Sequence, residues 1–236
     1  NVRKGGYRSV GCASTGNAAI SLAAYAYMNS VPCYIYVSEK ISRERLALIK
    51  TFSPIIRRVK GSYAEAIEFS NEEMEKSGIY NANPGKCQAK IVGNSFIGKE
   101  IAEEIRPDFV ICPTNNGTHL IGVWEGLKEK GLKPRMVAAV AEETEIADSI
   151  HGFHKLEEPR LSAALRESNG LIINLSDCEI REATALLLKE GIIAEPASAA
   201  SVAAINHINL EKKDIICCTI TGSGMKFPKT MQKALS

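Results

Sequence analysis

The chain has 236 residues, of which 45% are hydrophobic and 24% charged, and its formal net charge is +2. This balance is typical of a folded globular protein and excludes a disordered or collagen-like chain. The longest apolar run, residues 18–27, is too short to span a bilayer, and a near-neutral charge disfavours a nucleic-acid surface, which needs clustered basic residues. We therefore expect neither a membrane nor a nucleic-acid partner.

The order of the predicted elements indicates an α/β fold. Short β-branched runs alternate with amphipathic or alanine-rich stretches, a pattern typical of parallel sheets with crossover helices. The predicted strands are residues 9–13, 33–37, 55–59, 79–81, 109–112, 136–141, 171–174 and 215–221. The predicted helices are residues 17–28, 43–51, 63–77, 95–105, 120–130, 177–189 and 197–207.

A segment rich in Asn, Gly and Pro, residues 81–94, separates two series of strands and helices. Such composition is typical of a linker rather than of a regular element. We place a domain boundary there, between a small domain of residues 1–81 and a larger domain of residues 82–236.

The cysteines and histidines point to no metal site and to a reducing compartment. Seven cysteines, an odd number without CxxC spacing, lie mostly within apolar runs. They predict buried free thiols and a cytoplasmic protein. His151 and His154 form an HxxH pair without a carboxylate between them, which favours a surface loop over a zinc site.

The loop Ser14–Asn17 follows a predicted strand and opens a predicted helix. Ser14 and Thr15 supply hydroxyl groups, and Gly16 allows a ligand to approach the backbone closely. The free amides of a helix N-terminus suit a carboxylate or a phosphate. A plain helix cap by Ser14 or Thr15 explains this loop equally well.

Two further strand-to-helix loops are polar and contain glycine. In the loop Pro113–His119 successive amides can wrap an anion, and the absence of a GK[ST] ending disfavours a nucleoside triphosphate. An ordinary turn is an equally good interpretation of that loop alone. The loop 219–224 follows the last predicted strand, and a hydroxyl there can serve a ring nitrogen. In a doubly wound sheet such loops meet at the carboxyl edge, where ligands bind.

At these loops the sequence resembles a known family, the pyridoxal-phosphate enzymes of the tryptophan synthase β fold (fold type II). Within that family it is most similar to the threonine synthases. The order of the matching strings follows the family pattern over nearly the whole chain. The strings are CASTGN at 12–17, NANP at 81–84, PTNNGT at 113–118, EPASAAS at 195–201 and TGSGMK at 221–226.

The resemblance implies two αβα domains with mainly parallel sheets and a cofactor cleft between them, the small domain on the substrate side and the large one binding pyridoxal 5′-phosphate. It also implies a role for each matching residue. The α-carboxylate of an amino-acid substrate would be received by Ser14, Thr15 and Gly16. The cofactor would be held by Asn17 beside its ring hydroxyl, by the amides of Asn115, Asn116, Gly117 and Thr118 with His119 closing the loop around its phosphate, and by Thr221 at its pyridine nitrogen.

The activity implied is the conversion of O-phosphohomoserine and water to threonine and phosphate, by γ-elimination and β-replacement, in a homodimer. Other reactions of the family stay open, namely those of a dehydratase, an ammonia-lyase, or a cysteine or cysteate synthase. A non-catalytic remnant of the fold is a further alternative. A generic nucleotide-binding domain ranks last because no acidic residue closes a G-x-G-x-x-G fingerprint.

The lysine that carries the cofactor in this family has no counterpart in the sequence. In the family it lies in a motif well upstream of the ASTGN loop, and no internal lysine occupies a matching position. The sequence begins at Asn1, in what resembles the end of a helix. We expect an N-terminal segment that carries the lysine, and we assign no catalytic residue within residues 1–236.

Overall fold

The structure is a computed structural model that describes residues 2, 4–39, 41–226 and 228–235. The chain divides into two compact units, unit 1 (Asn1–Ala89) and unit 2 (Lys90–Ser236). This division falls within a helix that begins at Gln88, whereas the boundary expected from the sequence falls after residue 81.

Unit 1 is built on a four-stranded parallel sheet. Its strands pair in the order third, second, first, fourth along the chain, so the first strand has a neighbour on each side. The elements are β1 (Val10–Ala13), α1 (Asn17–Met28), β2 (Cys33–Ser38), α2 (Arg43–Lys50), β3 (Ile55–Val59), α3 (Tyr63–Lys76) and β4 (Tyr80–Asn81).

Helices pack on both faces of the unit 1 sheet. Val10 and Cys12 of β1 point to one face, where they join a buried cluster with the alanines of α1 and Ile49 of α2. Gly11 points to the opposite face, where the absence of a side chain leaves room for Met74 of α3. Alternate residues of β1 therefore contact α1 and α2 on one face of the sheet and α3 on the other.

Unit 2 repeats this architecture at larger size. Its four strands are parallel and again pair in the order third, second, first, fourth. The elements are α4 (Gln88–Glu104, whose first two residues belong to unit 1), β5 (Phe109–Pro113), α5 (Thr118–Glu129), β6 (Arg135–Val140), α6 (Arg160–Glu167), β7 (Leu171–Asn174), α7 (Asp177–Lys189), α8 (Pro196–Ala203), β8 (Ile216–Cys218) and α9 (Pro228–Leu235), with 3-10 helices at Asp148–Ile150, Ala204–His207 and Gly224–Lys226.

The two central strands of unit 2 are buried on both faces. Ile111 and Val137 belong to a cluster formed with α7 and α8, whereas Val110 and Met136 belong to a cluster formed with α4, α5 and α6. Continuous apolar runs such as Phe109–Pro113 are typical of parallel strands that are covered by helices on both sides.

Three glycines bring the backbones of α4 and α5 into contact. A Cβ at Gly98 would overlap the carbonyl oxygen of Val123, and a Cβ at Gly126 would overlap that of Ser95. At Gly122 a Cβ would overlap the Cβ of Asn94, whose side chain also contacts His119. Close packing of these helices therefore requires glycine at all three positions.

The α/β fold class predicted from the sequence is confirmed. The strands at 55–59 and 171–174 and the helices at 17–28 and 177–189 have the predicted bounds. The fourth predicted helix is wrong at its start, because α4 begins at Gln88 and takes up half of the expected linker. The predicted last strand is too long, since β8 ends at Cys218, and α6 and α9 were not predicted.

Among the described residues, no helix combines the length and the apolar character that crossing a bilayer requires.

Candidate functional site

The strand order identifies where ligands are expected in each unit. In unit 1 the chain leaves β1 toward β2 on one side, and β4 lies on the other side. In unit 2 β5 has the same position, between β6 and β8. Ligands of parallel α/β sheets bind beyond the carboxyl ends of the strands at such switch points. The loops after β1 and β4, and those after β5 and β8, are therefore the candidate sites.

In unit 1 the loop after β1 presents a helix N-terminus that no side chain caps. Gly16 is the N-cap residue of α1 and no side-chain hydrogen bond caps the helix, so the alternative of a cap by Ser14 or Thr15 is wrong. The Ser14 oxygen instead accepts from the Gly16 amide at 3.3 Å. The residues of the loop are half-buried, which leaves this end of α1 accessible to an anion.

A buried amide network holds the end of β1 in place. Oδ1 of Asn83 accepts from the Ala13 amide at 2.7 Å, and Nδ2 of Asn83 donates to Ser70 at 2.8 Å and to Asn71 at 2.9 Å. The Asn83 amide donates to Oδ1 of Asn81 at 2.9 Å. Asn83 is fully buried, and the NANP string alone did not indicate a role for it. It fixes the strand end from which the Ser14 loop departs.

In unit 2 the loop after β5 forms a cup of backbone amides. Gly117 has a φ of 96°, a left-handed conformation that favours glycine, and it is the N-cap of α5 without a side-chain cap. Within the described part of the chain, the amides of Asn115, Gly117 and Thr118 donate to no protein acceptor. Open amides at a helix N-terminus are a built anion site.

The side chains of this loop are held from outside by the segment 149–157. The Asn115 amide group donates to carbonyls of that segment, at 3.1 Å for His151. The Thr118 hydroxyl donates to Oε1 of Glu157 at 2.9 Å, and the Glu157 amide donates to the carbonyl of Asn116 at 3.1 Å. Glu157 is buried. The Thr118 hydroxyl is therefore bound to a carboxylate, and the groups that the loop leaves for an anion are its backbone amides.

Both nitrogens of the His119 ring contact side chains from outside the loop. Its Nδ1 lies 2.8 Å from Oδ1 of Asn94, and its Nε2 lies 3.0 Å from the Thr219 hydroxyl. Burial lowers the pKa of His119 to about 4, so the ring is neutral at pH 7. Since Oδ1 of Asn94 can only accept, Nδ1 carries the proton. His119 therefore brings no positive charge to the loop, and only its backbone can serve an anion there.

A cavity of about 460 Å³ adjoins the end of β8 in unit 2. Its wall is mainly apolar, with a few polar groups from His119, Thr219, Thr221 and Asn94, as is usual for small-molecule sites. Thr221 is exposed, and its hydroxyl lies 3.0 Å from that of the buried Ser198 in the EPASAAS segment.

The cysteines and histidines form no metal site among the described residues. All seven thiols are free, and four of them are buried. Burial is the main cause that raises the pKa of Cys33, Cys112 and Cys218 to about 12. These thiols are protonated at pH 7 and are poor nucleophiles.

Comparison with known proteins places these loops in context. The profile of the family described as "Pyridoxal-phosphate dependent enzyme" matches residues 1–222. The chain is 29% identical to a threonine synthase of Methanocaldococcus jannaschii, with 97% of this chain and 65% of that protein covered. It is 30% identical to a threonine synthase of Halalkalibacterium halodurans, with 98% and 72% covered. The chain thus spans about two thirds of the length of these relatives.

Among solved structures, the fold is similar to that of maize serine racemase. The TM-score is 0.79 at 18% sequence identity, and the alignment covers 96% of this chain and 76% of the racemase chain. At this level of identity the likeness concerns the fold.

Proposed function

This chain belongs to the family of pyridoxal-phosphate dependent enzymes, and on that premise we propose that the protein is a lyase of the threonine synthase type. It would convert O-phosphohomoserine and water to threonine and phosphate. The observation that carries the proposal is the pair of uncapped helix N-termini, one after β1 and one after β5, each at a switch point of its own sheet. The identity to threonine synthases over nearly the whole chain favours this reaction within the family.

Unit 2 contains groups that fit the cofactor. The open amides of Asn115, Gly117 and Thr118, together with Asn116, can donate hydrogen bonds to its phosphate. The neutral ring of His119 adds no positive charge there. We assign Thr221, beside the cavity, to the pyridine nitrogen. When bound, pyridoxal phosphate supplies the electron sink that allows bonds at the α-carbon of an amino acid to be broken. The chain supplies binding and orientation.

Unit 1 contains the groups that we assign to the substrate. Ser14, Thr15 and Gly16 would bind the α-carboxylate through their hydroxyls and the first amides of α1. Asn17, the first residue of that helix, would lie beside the ring hydroxyl of the cofactor. Asn83 would maintain the position of this loop because it binds the last amide of β1.

The compartment and the assembly belong to the same proposal. Seven free thiols are what a reducing compartment maintains, which supports a cytoplasmic enzyme. A homodimer is expected from the resemblance to the family.

The test is a substrate panel on the full-length protein with pyridoxal phosphate. With O-phosphohomoserine we expect phosphate and threonine in equal amounts, measured by a phosphate assay and by amino-acid analysis. Serine, threonine and O-acetylserine with sulfide are the controls, because they report dehydratase and cysteine synthase activity. Release of a keto acid from serine or threonine without turnover of O-phosphohomoserine would replace the proposed reaction by a dehydratase. Turnover of none of these substrates would overturn it.

A further inference from the structure

A buried hydroxyl lies directly behind the one that we assign to the cofactor ring. Ser198, in the first turn of α8, is fully buried, whereas Thr221 is exposed beside the cavity of about 460 Å³. Their oxygens are 3.0 Å apart. The Thr221 amide also donates to Oγ of Ser198 at 3.1 Å, so the two residues are joined by two hydrogen bonds.

Among the described residues, two acceptors are within reach of the Ser198 hydroxyl proton. One is the Thr221 hydroxyl oxygen at 3.0 Å, and the other is the carbonyl of Gly222 at 3.4 Å. Either hydroxyl can donate across this 3.0 Å contact. When Ser198 donates, which uses the shorter of its two contacts, the Thr221 oxygen accepts and the proton of Thr221 is left for an acceptor in the cavity.

The opposite arrangement leaves Thr221 with different chemistry. If Thr221 donates to Ser198, then Ser198 must use the longer contact to Gly222. In that state Thr221 presents only lone pairs to a ligand. Ser198 therefore controls whether Thr221 acts as a donor or as an acceptor toward the cavity.

We propose that Ser198 is a positioning residue that makes Thr221 a hydrogen-bond donor to the pyridine nitrogen of the cofactor. The inference rests on the proposed function, which assigns Thr221 to that nitrogen. A donor at this position matches an unprotonated ring nitrogen, which can only accept. Without Ser198 the Thr221 hydroxyl loses its fixed orientation and the Thr221 amide loses its acceptor.

The test is a double-mutant cycle on cofactor affinity in the full-length protein. The dissociation constant for pyridoxal 5′-phosphate is measured by fluorescence for the wild type, Ser198→Ala, Thr221→Ala and the double variant. We expect each single substitution to raise it about tenfold, the loss of one fixed hydrogen bond. The double variant should be no weaker than Thr221→Ala, because Ser198 acts only through Thr221.

A cofactor analogue separates positioning from general damage. The 1-deaza analogue of pyridoxal phosphate has a carbon in place of the ring nitrogen, so its affinity should be the same in wild type and Ser198→Ala. Ser198→Cys keeps a weaker donor, so its dissociation constant for pyridoxal phosphate should lie between those of the wild type and Ser198→Ala. If Ser198→Ala fails to fold, Ser198→Cys takes its place in the test. Ser201→Ala is the matched control, because Ser201 is buried in the same helix and donates to the Ser198 carbonyl at 2.8 Å.

The outcomes distinguish the two levels of the argument. If Thr221→Ala leaves the affinity for pyridoxal phosphate unchanged, the assignment of Thr221 in the proposed function is wrong. If Thr221→Ala weakens binding but the two substitutions multiply in the double variant, Ser198 acts independently and only the present inference is overturned. Equal weakening of the deaza analogue by Ser198→Ala would also overturn it.

Discussion

Units 1 and 2 share a strand order but hold their candidate anion-binding loops in different ways. In unit 1 a single buried side chain, Asn83, reaches from the loop after β4 to the last amide of β1. In unit 2 the loop after β5 is held by a separate segment, 149–157, through Glu157 and the carbonyls that bind Asn115. The same topology thus reaches a comparable site with different supports.

The sheets themselves are alike, since the central strands are buried in both units and the outer strands β3 and β7 are largely exposed. The units differ in helix packing, because in unit 2 the backbones of α4 and α5 meet at glycines. We therefore expect unit 2 to depend on close packing, and unit 1 on a few satisfied polar groups.

The strongest way to break the packing of unit 2 is a side chain between α4 and α5. Gly126→Val should lower the free energy of unfolding by about 3 kcal/mol, because the added atoms overlap the backbone of Ser95. Urea unfolding followed by circular dichroism measures the loss. Gly93→Ala is the matched control, since a Cβ at this α4 position meets open space and should stabilise by about 0.5–1 kcal/mol. Equal unfolding midpoints for the two variants would contradict the packing argument.

Acid should weaken unit 2 more than unit 1. All four histidines lie in unit 2, and the folded pKa of His119, about 4, is below the unfolded value of about 6.5. The unfolded chain therefore binds the extra proton first, so this stability is present above pH 6.5 and is lost as the pH falls toward 4. Between pH 6.5 and pH 5 the loss should be about 2 kcal/mol.

Hydrogen exchange at the two pH values measures this loss in each unit. His119→Asn should remove the share of the pH dependence between pH 6.5 and pH 5 that His119 contributes to unit 2, whatever its effect on stability at pH 7. His207→Asn is the control, because His207 is exposed and its replacement leaves the buried ring of His119 in place. Equal losses of protection in both units would show that His119 is not the cause.

Removal of Asn83 should act on unit 1 alone. Asn83→Ala leaves the Ala13 amide and the Ser70–Asn71 pair without their buried partner, which should cost about 2 kcal/mol. The amide of Ala13 should exchange faster with solvent, and the KM for the substrate should rise because the Ser14 loop loses its support. Asn29→Ala, at an exposed helix end, should change stability by less than about 0.5 kcal/mol. Unchanged exchange at Ala13 would contradict this role.

The smallest expected effect concerns the outer support of the unit 2 loop. Glu157→Ala should weaken the binding of pyridoxal phosphate about tenfold, the equivalent of one hydrogen bond. The affinity for pyridoxal, which has no phosphate, should not change. Glu157→Gln keeps an oxygen that accepts from Thr118 and should bind nearly as the wild type does. Glu158→Ala, an exposed neighbour, is the control. An equal loss of affinity for pyridoxal phosphate and for pyridoxal would mean that Glu157 stabilises unit 2 as a whole rather than the loop after β5.

The family resemblance read from five short strings is confirmed by the profile match over residues 1–222. The loops Ser14–Asn17 and Pro113–His119 lie at the carboxyl ends of strands, as expected, and the structure adds that each follows a strand at a switch point. Less could be predicted for the side chains. The role of His119 at the phosphate loop stays a prediction, and the contacts of its ring with Asn94 and Thr219 could not be predicted.

The sequence by itself determined the order of the strands and of all helices except α6 and α9, because the apolar pattern that specifies them is local. It also indicated the candidate ligand loops, since glycine and hydroxyl residues after a strand are a local signal. The supports of those loops were decided by tertiary structure. Asn83 contacts Ala13 across 70 residues, Glu157 contacts Thr118 across 39, and Ser198 contacts Thr221 across 23. No periodicity links such pairs, so only the fold, by placing two loops at one sheet edge, makes them partners.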